Sequence, residues 1–401
     1  MIRSFFLFFI LAVIIGSYLA FTEVKPEPGT IEPVPEKEQM DEALAIYLDN
    51  FEQGFTKGLM SEQIPGAAVV IVKEGRVVYQ KGFGIKQKGK PDKVDEDTVF
   101  RLGSLSKGFA SVLTGVFVEE GIINWTDPVS QHLDEFRLSD PAQTERVEIR
   151  HLLSHTVGLP RHSYTNLVED GLPLDRIIPR LEEVPLLTVE GRQLSYQNAA
   201  YSSIEKILES QSNADFSSLL KEMIFDPLSM RMATTDHQSI LDSENKALPH
   251  VMVSRSKGRR PIPITNKYYN AVSSGGINAS ISDMGKWLLL LLGHYPNVIA
   301  PETLRDIYEP QATLQNRRFS RHWEGVDESH YALGWRVLDN HGQTIVYHGG
   351  YVNGYRSELA FAPDDQVGIC ILINTPSSYP LKVIPRFFKA IKTDSIQMSV
   401  N

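Results

Sequence analysis

The sequence predicts an α/β protein of the α+β kind: an antiparallel sheet flanked by helices, built from both ends of one domain, with a mainly helical sub-domain inserted between them. Three observations predict this. Short β-branched runs at 67–73 and 76–82 face each other across Glu74-Gly75. A second group of strand patterns, at 344–348, 355–361 and 367–373, lies near the other end of the chain, with Pro363-Asp364-Asp365 as a turn. Between 121 and 270, helical apolar patterns and proline-punctuated loops dominate and clear strands are few. The two strand groups can bury their faces together only by meeting in one sheet.

Taken in order, the chain opens with Arg3 and an apolar stretch from Phe5 to Phe21. Residues 1–21 therefore read as a signal peptide or an N-terminal membrane anchor, and either implies export to the periplasm or another extracytoplasmic space. Ala20 preceded by Leu19 and Tyr18 is a poor cleavage site, which favours retention as an anchor. Residues 22–40 alternate Pro26, Pro28, Pro33 and Pro35 with glutamates, a stiff, self-repelling spacer. The main domain is expected over 41–392, its α/β part at 41–120 and 271–392 and its helical part at 121–270, followed by a tail at 393–401. Within it, a helix near 38–57 precedes the first strand pair. An apolar run from Phe109 to Val118, closed by Gly121, marks a central helix, and an amphipathic pattern at 381–392 marks a last one.

A chain of 401 residues with 42% hydrophobic content buries a large core, and a net charge of −9 argues against nucleic-acid binding. The densest basic run, Lys257-Gly258-Arg259-Arg260, reads as a solvated loop. Cys370 stands alone in an apolar stretch, reads as a small packed hydrophobe, and excludes an internal disulfide.

Three clusters carry the chemistry. Ser104-Leu105-Ser106-Lys107 opens the central helix, and residues three apart share a helix face. The same Ser-x-x-Lys spacing recurs at Ser203, Ser218, Ser243 and Ser254, so context selects Ser104. Tyr196-Gln197-Asn198 enters the helical pattern at Ile204, Ile207 and Leu208, and His348-Gly349-Gly350 ends a strand pattern. A serine hydroxyl needs a base, a second proton-handling group and oxyanion donors, and these clusters supply each. His151 and His155 have the spacing of a zinc helix, but Leu152 stands where a metallopeptidase places its glutamate, so a core or turn role is preferred.

With these clusters the chain resembles the serine β-lactamase and penicillin-binding-protein superfamily, in its class C-like branch of β-lactamases, DD-peptidases and esterases. The resemblance covers about 41 to 392. It extends to Ile64-Pro65-Gly66-Ala67, to Leu152 through Pro160, to Ser274-Gly275-Gly276 with Ser282-Asp283-Met284, and to Leu333-Gly334-Trp335, in that branch's order. The Ser-Asp-Asn element of class A enzymes is replaced by Tyr196-Gln197-Asn198. The third element departs from the Lys-Thr-Gly usual in class C β-lactamases. His348 there is expected to be only partly charged near neutrality and to attract a β-lactam carboxylate less than a lysine would.

The resemblance implies a serine hydrolase that forms an acyl-enzyme on Ser104 with amide or ester substrates: a D-amino-acid peptide, an ester or a β-lactam. Lys107 is expected to take the serine proton and Tyr196 to relay it. Asn198 would orient substrate, and His348 would tune the field around Tyr196. Gly349 and Gly350 would line the substrate, with the backbone N–H groups of Ser104 and Tyr351 as the oxyanion hole. No metal or organic cofactor is needed. The expected partners are a small or peptide substrate, cell-wall-derived or otherwise, and a membrane through the N-terminal segment. The alternative is a weak or silent penicillin-binding protein with the same fold.

Overall fold

The computed structural model describes residues 40–314, 322–323 and 326–392. The expected signal or anchor, the spacer up to residue 39 and the tail lie outside the described residues. No helix among the described residues is long and apolar enough to cross a membrane.

Helix α1 (Glu42–Ser61) begins later than the apolar pattern suggests, because the Asp41 carboxylate caps it by accepting from the Ala43 and Leu44 amides. It buries Leu44, Leu48, Phe55 and Leu59. The sheet has eight strands: β1 (Gly66–Lys73), β2 (Arg76–Gly84), β3 (Ala312–Thr313), β4 (Val326–Tyr331), β5 (Arg336–Asn340), β6 (Gln343–Val352), β7 (Tyr355–Ala362) and β8 (Val367–Ile373). Their order is β2-β1-β8-β7-β6-β5-β4-β3, with every neighbouring pair antiparallel. Pairing of β1 with β8, from Ala67 with Ile373 to Lys73 with Val367, joins the two ends of the chain.

Strand β1 is buried on both faces and so reads as a continuous apolar run. Ala67, Val69 and Ile71 belong to one core, shared with α1 and the last helix, α5 (Pro380–Lys392). Ala68, Val70 and Val72 belong to the other, shared with α2 (Ser106–Glu119), α3 (Ser203–Ser212) and α4 (Ile281–Leu291). Cys370 on β8 is fully buried in that second core. Segment Ser282-Asp283-Met284 is the first turn of α4, closed by a capping box between Ser280 and Asp283. Residues 121–270 fold into short helices between longer loops, as expected from their patterns, with one two-stranded ribbon among them, His250–Ser254 paired with Gly258–Pro261.

That ribbon corrects the reading of the basic run. Gly258, at φ +70°, turns the hairpin, and Arg259 points inward, only 7% exposed. Its guanidinium donates to the carbonyls of Gln63 (2.9 Å) and Glu62 (3.1 Å) and to Thr375 Oγ1 (2.7 Å), tying the ribbon to the end of α1. Lys257 and Arg260 stay exposed. Leaving those three acceptors without a donor makes Arg259→Met expensive. It should lower the unfolding free energy by about 2–4 kcal/mol, while Lys257→Met and Arg260→Met stay within about 0.5 kcal/mol. Urea denaturation of the three variants checks this, and equal small losses would return the whole run to a solvated loop.

Candidate active site

Ser104 sits in a single 3₁₀ turn, Gly103–Leu105, that leads directly into α2. A short ribbon, Phe100–Arg101 with Asn278–Ala279, and the bond from Leu102 N to Ile277 O (2.9 Å) fix the chain just before it. Gly103 lies at φ +55°, where a side chain is strained, and a Cβ there would come within 2.9 Å of Tyr351 N. A Cβ on Gly350 would run into the Leu102 carbonyl oxygen. The two glycines thus let the end of β6 lie against the serine turn, and they bring Tyr351 N beside it. The Tyr351 side chain is 56% exposed.

Tyr196 Oη donates to Ser104 Oγ at 3.0 Å, and both side chains remain partly accessible. Lys107 is fully buried. Its ammonium donates to Asn198 Oδ1 at 2.8 Å and to Ser274 O at 2.9 Å, and lies 4.8 Å from the Tyr196 ring centroid and 5.3 Å from that of Tyr201. Burial holds the Lys107 amine below its ordinary range, against the opposing pull of Tyr196. Burial alone would push the Tyr196 phenol up, but the charges of Lys107 and Arg336, with the hydrogen bond to Ser104, outweigh it and leave Tyr196 below the usual tyrosine range. The phenol thereby ionises more readily than an ordinary tyrosine.

Asn198 is 5% exposed and engaged at both ends of its amide, since Nδ2 donates to Tyr268 Oη at 3.1 Å while Oδ1 accepts from Lys107. Both ends of the amide are thus committed within the protein, one of them to the lysine. His348 differs from expectation. It is 1% exposed, and burial first, then the charges of Arg336 and Lys107, hold its pKa well below 6.5.

His155 and Tyr331, which the sequence did not single out for the site, complete its wall. The His155 ring lies 4.2 Å from the Tyr196 ring, centroid to centroid. Its Nδ1 accepts from Gln197 N at 3.2 Å, so in the neutral ring the proton is on Nε2, which donates to Tyr331 Oη at 3.1 Å. Tyr331 in turn donates to His348 Nε2 at 3.1 Å, and His348 Nδ1–H faces Gly349 O at 3.0 Å. Every donor in this chain meets an acceptor with no net charge. His155 is also pushed well below 6.5, by burial and then by Lys107 and Arg336. By contrast, His151 only accepts from Glu148 N at the start of a short helix, a turn role.

Residues 48–389 match the family model described as Beta-lactamase. Among curated proteins, the chain is 26% identical over 325 residues to the unguisins hydrolase ungD' of Aspergillus campestris, covering 79% of this chain and 59% of that protein. It is 24% identical over 330 residues to protein flp of Staphylococcus aureus strain MRSA252, covering 81% and 62%. The chain thus spans about three fifths of the length of these relatives. The octameric penicillin-binding protein homologue from Pyrococcus abyssi superposes with a TM-score of 0.73 at 23% identity, covering 85% of this chain and 77% of that one, so the two share a fold.

The neutral chain of bonds sets a pH expectation opposite to that of a titrating His348. Nitrogen-resolved NMR of the histidines should show His348 neutral and protonated on Nδ1 throughout about pH 5–8. The unfolded chain takes up protons below about 6.5 where the folded one does not, so both buried histidines make stability fall as pH drops through that value. A His348 midpoint inside that range would restore the charge-tuning role.

Proposed function

The chain belongs to the beta-lactamase family, and from that premise we propose that it is a serine hydrolase that forms an acyl-enzyme on Ser104. The observation that carries this reading is the 3.0 Å bond between Tyr196 Oη and Ser104 Oγ, beside a lysine whose buried charge acidifies that phenol. In this reading Tyr196, as phenolate, takes the serine proton while Oγ attacks the substrate carbonyl. Lys107, expected from sequence to be the direct acceptor, instead sets the charge on Tyr196, since its own bonds go to Asn198 and Ser274. The oxyanion forms beside the backbone N–H groups of Ser104 and Tyr351, which the glycine-lined approach of β6 keeps close. Tyr196 then returns the proton to the leaving group, and water releases the acyl chain by the reverse path.

The substrates we propose are amides or esters: a D-amino-acid peptide, an ester or a β-lactam. The neutral His348 favours those without a carboxylate near the scissile bond, because the imidazole offers such a carboxylate no charge. The fungal relative is named a hydrolase of unguisins, which agrees with acyl transfer as the reaction class. We also propose that residues 1–21 export the domain and hold it at a membrane, on the strength of their apolar run.

Intact-mass measurement after exposure to a penicillin, a fluorophosphonate and an activated ester tests the nucleophile. Ser104→Ala should take up none of the three acyl or phosphonyl groups, and Ser203→Ala should label like the parent. Stoichiometric labelling of Ser104→Ala would refute the assignment, and a parent protein that labels but never releases its acyl group would favour the silent penicillin-binding alternative. Lys107→Ala and Tyr196→Phe should each slow acylation by about 10² or more, and the double variant little beyond the slower single one, because the pair acts as a unit. Additive losses would mean independent roles.

A further inference from the structure

Glu205 is an acid where its helix calls for an apolar residue. On α3 it stands among Ile204, Ile207 and Leu208, all fully buried, and is itself 5% exposed. A carboxylate taken out of water requires hydrogen bonds or a cation to offset its lost hydration. Here only one oxygen is served. Oε1 accepts from Ser273 N at 2.8 Å and from Ser273 Oγ at 2.6 Å, while Oε2 accepts from no donor among the described residues. The neighbouring Lys206 is committed elsewhere, to Asp175 at 3.2 Å and Glu209 at 2.9 Å.

Glu205 lines a cleft of about 270 Å³ whose wall includes none of Ser104, Lys107 or Tyr196. Leu174, Phe216, Tyr269 and Val272 give that cleft apolar sides. Its remaining charged lining is Asp175, Glu209 and Asp215 against Lys206, so the field inside favours a cation. An acid with one unserved oxygen, apolar walls and an anionic rim together describe a receptor for an ammonium group on an apolar stem.

We propose that this cleft binds a small primary amine, its ammonium donating to Glu205 Oε2 and its stem lying against Phe216, Leu174 and Val272. The site is independent of the Ser104 reading, although the two share one turn. Ser273 holds Glu205, and the adjacent Ser274 offers its carbonyl to Lys107 at 2.9 Å.

The test uses the full chain with benzylamine as probe and benzyl alcohol as its uncharged match, followed by protein chemical-shift titration at pH 8. Benzylamine should bind saturably and benzyl alcohol at least about tenfold more weakly. Glu205→Gln keeps an oxygen for both Ser273 bonds, so it should fold as the parent does and lose about tenfold or more in benzylamine affinity. A second arm needs no variant. Burial pushes the Glu205 carboxyl up to about 7, so the parent should bind benzylamine about tenfold more weakly at pH 6 than at pH 8, as the acid becomes neutral. Of the other groups facing the cleft, Asp215 is held below its ordinary value and Lys206 and Tyr269 above theirs, and the remaining acids there are Asp175 and Glu209. Absence of saturable benzylamine binding, equal binding of the alcohol, or affinity unchanged by both Glu205→Gln and pH 6 would overturn the proposal.

Discussion

The site rests on one dry cation. The Lys107 ammonium is fully buried and bonds to no carboxylate among the described residues; an amide oxygen, a backbone carbonyl and two phenol rings surround it. Holding a charge that way is costly, so the groups that solvate it must be in place before it can be there. Those groups come from two separate segments remote from α2: the entry to α3 with Tyr196, Asn198 and Tyr201, and the turn Val272–Gly275 with Ser274. Tyr201 Oη also donates to the Lys107 carbonyl at 2.7 Å, pinning the first turn of α2 from the same side. Convergence of the helical sub-domain on the sheet is thus also what assembles the proton-handling pair.

The same charge explains the rest of the wall. With Lys107 and Arg336 both acting on Tyr196, a third cation at position 348 would be repelled and would need its own solvation. A neutral histidine avoids that cost, and the run Gln197, His155, Tyr331, His348, Gly349 satisfies every ring nitrogen and hydroxyl without adding charge. His155 pays a local penalty for its place, at φ +59°, which its two ring hydrogen bonds help to hold. The field at the phenol thus comes from groups behind it, Lys107 and Arg336, and not from the third cluster.

Much of this was legible in the residues. Strands β1, β2, β7 and β8 were readable because burial on both faces or a tight turn leaves a continuous or sharply bounded apolar run. Strands β3 to β5 were not read: β3 has two residues, and Val-Asp-Glu-Ser-His-Tyr in β4 has the polar character of a strand near a sheet edge. The serine turn was visible from its context, whereas the bond from Lys107 to Asn198 was not, because sequence cannot tell which buried group an amide faces. Arg259 was hidden for a similar reason, as its acceptors are backbone carbonyls remote in the chain. The signals for His155 and Tyr331 lay in plain view, one within the Leu152–Pro160 segment and one just before Leu333-Gly334-Trp335, but only the fold brings them within reach of one another.

The central claim is that the buried charge of Lys107 acidifies Tyr196. Ultraviolet difference titration of tyrosinate in the parent and in Lys107→Met measures this directly, with Tyr196→Phe to identify the signal. The account predicts that the parent has one tyrosine ionising below the ordinary value of about 10, that Tyr196→Phe removes it, and that in Lys107→Met it moves above that value because burial then acts with less opposition. A Tyr196 signal that titrates alike with and without Lys107 would contradict the account.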